Sequence, residues 1–147
     1  MLESPFHLVP AEIKDAADLA ELRVLAMRPS LEAVGRFDPI RARERFLSTF
    51  VAADTKIVYR GEERAGFFVV RQHKDHLYLD HLYVDPKFQG TGIGKSLLEQ
   101  IKADAQARQF PVRLVALNGS PANRFYQACG FQITGTDDLD THYIWHP

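Results

Sequence analysis

Apolar residues recur along this chain with two different periods, and the switches between them divide it into elements. Phe6 to Val9 reads as a short strand. Asp15 stands where an N-cap would, ahead of a helical face carrying Leu19, Leu22 and Leu25, and Pro29 marks the expected end of that helix. The stretch from Ser30 to Pro39 is polar and broken, after which Pro39 can open a second helix through Phe46, Leu47 and Phe50. Lys56 to Tyr59, Gly66 to Val70 and Leu77 to Val84 are β-branched or aromatic runs separated by turn signals, the pattern of an antiparallel meander. From Ile93 the period becomes helical, with Leu97, Leu98, Ile101 and Ala105 on one face. Val112 to Leu117 then returns to strand, a crossover that normally joins parallel strands.

The last third of the chain continues in the same way. Ser120-Pro121 opens a short helix whose Ala122, Phe125, Tyr126 and Cys129 share a face, and Gly130 ends it. Phe131 to Ile133 and Thr141 to Trp145 complete the sheet as a hairpin across Asp137-Asp138. The expected fold class is α/β of the α+β kind: a mixed sheet of about six to seven strands flanked by about four helices. A chain of 147 residues without repeat or linker is expected to be one domain, residues 1–147.

Composition narrows the function classes. Hydrophobic residues make up 46% and charged residues 25%, an ordinary globular balance. With 18 basic against 19 acidic residues the formal charge is −1, so no whole-molecule field draws nucleic acid or an anionic membrane. The single cysteine, Cys129, rules out an internal disulfide framework and reads as a buried small hydrophobe. The first twenty residues lack a basic n-region and a continuous apolar stretch, so a cytoplasmic protein is expected. No His/Cys cluster offers a metal site, and monomer and homodimer stay equally open.

Chemistry concentrates where the third long strand hands over to a helix, Leu82-Tyr83-Val84-Asp85-Pro86-Lys87-Phe88-Gln89-Gly90-Thr91-Gly92-Ile93-Gly94-Lys95-Ser96. Glycine lets backbone approach a ligand closely, and the unpaired N–H groups of a helix start favour a phosphate. A dinucleotide fingerprint fails on spacing, because Gly90, Gly92 and Gly94 run G-x-G-x-G. A Walker A loop has its ending in Gly94-Lys95-Ser96 but finds Gln89 where its first glycine belongs. The remaining pattern, Q-x-x-G-x-G at Gln89, Gly92 and Gly94, resembles motif A of the GNAT acetyltransferases, flanks included. That resemblance implies the GNAT acyl-CoA N-acyltransferase fold. It also implies that acetyl-CoA is the cofactor, with its pantetheine arm along Leu82, Tyr83 and Val84. The amides of Gln89, Gly90, Thr91, Gly92, Ile93, Gly94 and Lys95 would then hold the pyrophosphate. Lys95 reads equally well as a solvated first-turn residue.

A second segment, from Asn118 through Arg124-Phe125-Tyr126 to Gly130-Phe131, resembles the family's N…A..FY...GF signature. Here Asn118 lies eight residues before Tyr126, further than the family's asparagine usually does, and Asn123 one turn before Tyr126 is the substitute for bonding the pantetheine. Either asparagine reads also as a cap or an exposed polar residue. Tyr126 has a chemical case of its own: a phenol of pKa about 10 can protonate a departing thiolate whose thiol titrates near about 8.5.

The attacking amine must lose a proton, and Asp80 and His81 interrupt the core strand as candidates. Adjacent strand residues face opposite sides, so only one can serve; Asp80 is preferred, with His81 or a water chain as alternatives. Arg28 and Arg36, between the first two helices, are candidates to fork onto an acceptor carboxylate, and a solvated helix surface is their plainer reading. The expected activity is direct acetyl transfer to a primary amine of a small molecule or peptide, without metal. The rivals are a non-catalytic CoA-binding module and, behind it, a small P-loop phosphotransferase.

Overall fold

The structure, a computed structural model, describes residues 6–147. Seven strands hydrogen-bond in the order β1-β2-β3-β4-β5-β7-β6: β1 (His7–Pro10), β2 (Thr55–Arg60), β3 (Glu63–Gln72), β4 (Leu77–Val84), β5 (Val112–Leu117), β6 (Gln132–Thr136) and β7 (Asp140–Trp145). Four α-helices accompany them: α1 (Ala16–Ala33), α2 (Pro39–Leu47), α3 (Ile93–Arg108) and α4 (Ala122–Ala128). β1 to β3 run antiparallel, and β4 meets β5 in parallel at Leu77↔Val112 and Tyr78↔Arg113, as the crossover through α3 requires. β7 lies antiparallel to both β5 and β6. The sheet is therefore mixed, as expected.

The chain clusters into two compact units, one running through Val69 with His81–Ile93, the other made of Val70–Asp80 and Gly94–Pro147. In the first, Leu19, Ala20 and Leu22 of α1 bury against Ile57, Phe67 and Val69 of the sheet. Phe46 of α2 stands edge-on to both Phe67 and His81, each with ring centroids 5.3 Å apart. In the second, Leu97, Leu98, Ile101 and Ala105 are buried along one face of α3, and Val112, Leu114 and Ala116 alternate inward on β5.

Several local expectations need correction around the first two helices. Asp15 does not cap α1 with its side chain; it ends a 3-10 turn, Ile13–Asp15, whose Glu12 and Asp15 form a reciprocal capping box. Pro29 does not end α1, which continues to Ala33. A proline there removes the bond to the carbonyl of Leu25, but Leu25 and Pro29 are both exposed, so water can take that carbonyl. Leu25 accordingly is not part of the buried face. Phe50 lies past the end of α2, whose start is capped by Asp38 accepting from Ile40 and Arg41 amides at 3.1 and 3.2 Å. In α4 the cap position falls on Pro121, one residue later than expected.

Candidate functional site

β4 ends at Val84, and a short turn, Pro86–Phe88, follows, its start capped by Asp85 accepting from the Lys87 amide at 2.9 Å. The backbone then bends through Gly90 and Gly92, whose φ values of +80° and +84° lie in the left-handed region. Gln89 donates its side-chain amide back to the Val84 carbonyl at 3.1 Å, and the Thr91 hydroxyl donates to the Phe88 carbonyl. These bonds tie Gln89 and Thr91 back to the preceding strand end and turn while Gln89 to Gly92 stay exposed. Ile93 is buried and anchors the start of α3, whose first turn carries Lys95 and no acidic residue. A helix start with open amides, a lysine and no carboxylate is a donor set suited to a phosphate.

The same strand divides its side chains between two faces. His81 and Tyr83 point toward α1 and α2: the Tyr83 hydroxyl lies 2.9 Å from His81 Nδ1, receives Arg23 Nε at 3.1 Å and donates to Met27 Sδ at 3.4 Å. On the alternate positions sits Asp80, whose Oδ2 accepts from Arg71 Nη2 and Nε at 3.1 and 3.2 Å. The two candidates for the base thus differ as strand alternation demands, and Asp80 is the one engaged with a cation.

α4 presents Tyr126 as its one buried residue, at 8% exposure, edge-on to Phe131 at 5.7 Å. Asn123 fixes this helix. Its amide donates to the Leu117 carbonyl at 2.8 Å and to the Ser120 carbonyl at 3.1 Å, and its oxygen accepts from the Tyr143 hydroxyl at 2.8 Å. Asn118 is likewise engaged within the protein, donating to the Asp137 carbonyl and accepting from the Thr141 hydroxyl at 2.6 Å. Both asparagines serve as ties between β5, α4 and the β6–β7 hairpin. Cys129 is half-buried, not buried as expected; partial burial pushes its thiol up, which disfavours the thiolate.

Arg28 donates to Glu32 at 3.1 Å on the surface of α1 and lies over the Phe37 ring, while Arg36 is exposed. The arginine that sequence reasoning missed is Arg23, buried between Leu22 and Val24. Its position on the apolar face of α1 is a signal in the sequence. Its partner Tyr83, sixty residues away, is not. Among the described residues no group of three or more His, Cys, Asp or Glu side chains could hold a metal, and no helix is long and apolar enough to cross a membrane.

Comparison with known proteins bears on this geometry. Residues 46–133 match the family profile described as an acetyltransferase (GNAT) domain. The chain is 29% identical, over 91% of its own length and 91% of the relative's, to an aminoglycoside N(6')-acetyltransferase type 1 of Stenotrophomonas maltophilia. In fold it is similar to PaiA N-acetyltransferase from Thermoplasma acidophilum, solved with coenzyme A, at a TM-score of 0.84 and 18% identity over 97% of this chain and 99% of that one. An acetyltransferase from Thermus thermophilus superposes with a TM-score of 0.76 at 20% identity, covering 97% of both chains.

Proposed function

We propose, for a chain that belongs to the GNAT acetyltransferases and takes acetyl-CoA as its cosubstrate, that residues 1–147 work as one catalytic domain moving the acetyl group directly to a primary amine. The observation that carries the site assignment is the loop from Gln89 to Lys95. Its two left-handed glycines, its ties to the preceding strand end and turn and its acid-free helix start suit the pyrophosphate. Leu82, Tyr83 and Val84 lie on β4 past the two positions paired with β5, and their backbone groups would take the pantetheine arm as an added strand.

When bound, the cosubstrate supplies an activated thioester. Tyr126 protonates the departing thiolate, and the amine gives its own proton to water; Asp80 stays with Arg71. Asn118 and Asn123 hold α4 and the hairpin in place. Positioning of the amine against the thioester, and amide donors at its carbonyl, account for the remaining rate enhancement. The acceptor is a small molecule or peptide bearing a primary amine.

Calorimetric titration with acetyl-CoA, run beside ATP-Mg²⁺, is the test. Micromolar acetyl-CoA binding without an ATP response supports the assignment, and thiol release with at least one amine of a broad panel separates an enzyme from a CoA-binding module. Binding of ATP alone would return Gly94-Lys95-Ser96 to the phosphotransferase reading.

A further inference from the structure

Arg23 is only 7% exposed, yet among the described residues no carboxylate pairs with it. Its hydrogen bonds go to neutral groups: Nε to the Tyr83 hydroxyl at 3.1 Å and Nη1 to the Ala42 carbonyl at 2.6 Å. A guanidinium has five N–H donors, so these two bonds leave donors over. Taking such a charge out of water is costly, and neutral dipoles offset that cost only in part.

The neighbouring arginines are treated differently. Arg43 is paired with Glu21 and Arg28 with Glu32, although pairs open to solvent gain little from it; the part-buried Arg64 is paired with Asp15 and Asp18. Arg36, Arg41 and Arg45 are exposed and solvated. Solvent-exposed arginines here thus have acids, while the buried Arg23 has none among the described residues. The arrangement fits a site whose anion arrives with a ligand.

Where that ligand lies follows from Tyr83. The residue bonded to Arg23 sits in the segment Leu82 to Val84, so a group on the guanidinium is one side chain away from the strand assigned to the pantetheine arm. Resting on that assignment, we infer that Arg23 binds the carboxylate of the acceptor, and that the acceptor is a primary amine that also carries a carboxylate, of the amino-acid type. A planar guanidinium offers two parallel N–H bonds to such a group. A polycationic amine has the wrong sign for this site. Arg28, already held by Glu32, and the solvated Arg36 are not needed.

The experiment uses the wild-type protein and matched acceptors, each amino acid beside its carboxamide, with thiol release as the readout. The acid of the preferred pair should show at least a tenfold higher kcat/KM than its amide, and Arg23→Met should bring the two to the same level. Because a buried arginine also supports packing, a second measurement needs no variant for its result: acetate is titrated into the wild-type protein while the Arg23 Nε–H resonance is followed by ¹⁵N NMR, with acetamide as control. A saturable shift with acetate alone supports the site. Equal use of acids and amides, or equal response to acetate and acetamide, overturns it. Failure of acetyl-CoA to bind in the calorimeter would instead sink the cofactor assignment, and the acetate titration would still report on Arg23.

Discussion

Gly66 of β3 lies so close to Tyr83 of β4 that a Cβ built on it would stand 2.4 Å from the Tyr83 carbonyl oxygen and 3.2 Å from the Val84 Cα. The Asp85 amide donates to the Ala65 carbonyl at 2.7 Å beside this contact, so the two backbones are drawn together where β4 ends. Gly66→Ala forces them apart. The expected loss is about 1–3 kcal/mol, typical of overpacking, seen as a melting temperature lowered by several degrees. The Michaelis constant for acetyl-CoA should rise with it, since the displaced backbone is the stretch from Leu82 to Val84. An unchanged melting temperature would mean that the approach is looser than described.

Tyr126→Phe removes a proton donor while keeping the ring that meets Phe131. Turnover should drop by about a hundredfold or more, the usual scale for a lost general acid, while the acetyl-CoA dissociation constant stays within about threefold. Steady-state kinetics beside calorimetry separates the two quantities. A parallel loss of binding would place the hydroxyl in cofactor recognition instead.

Asp80→Asn breaks the pair with Arg71 but keeps the shape of the side chain. The stability cost should not exceed about 1 kcal/mol, and turnover should fall by less than about threefold. A loss of a hundredfold with a shifted pH profile would restore Asp80 as the proton acceptor.

At the β6–β7 turn, the His142 ring beside Asp137 and the amides of Asp140 and Leu139 hold the Asp137 carboxyl down to about 2. A depressed carboxyl stabilises the fold above its unfolded pKa, about 3.9, and the contribution disappears as pH falls toward 2. Melting temperatures recorded from pH 5 to pH 2 should therefore drop more in the wild-type protein than in Asp137→Asn, which keeps an acceptor oxygen but no titrating charge. Parallel curves would remove the turn from the acid sensitivity of the fold.

How much of this was written in the chain can be seen element by element. The long helix α3 and strand β5 follow from period alone, because Leu97, Leu98, Ile101 and Ala105 must be buried together and Val112 to Leu117 alternate. The loop at Gly90 and Gly92 was legible because left-handed backbone leaves a glycine signature. Pro29 misled because a proline's cost depends on whether the carbonyl it strands can reach water, which local sequence does not state. The engaged states of Asp80, Asn118 and Asn123 depend on Arg71, Asp137 and Leu117, partners six to nineteen positions away across turns. Arg23 shows the limit most clearly: between two apolar residues it looks like a break in a helical face, and only its contact with Tyr83 gives it a meaning.

All five buried residues of α1, Leu19, Ala20, Leu22, Arg23 and Val24, fall within six consecutive positions, and the remaining turns of that helix carry none. Its second half is therefore under little obligation to the core. Substitutions from Arg28 to Ala33 can accumulate at small cost in folding, one turn and more from the arginine that would read the acceptor. Such a half-helix is a place where the sequence can drift without first acquiring stability to spare.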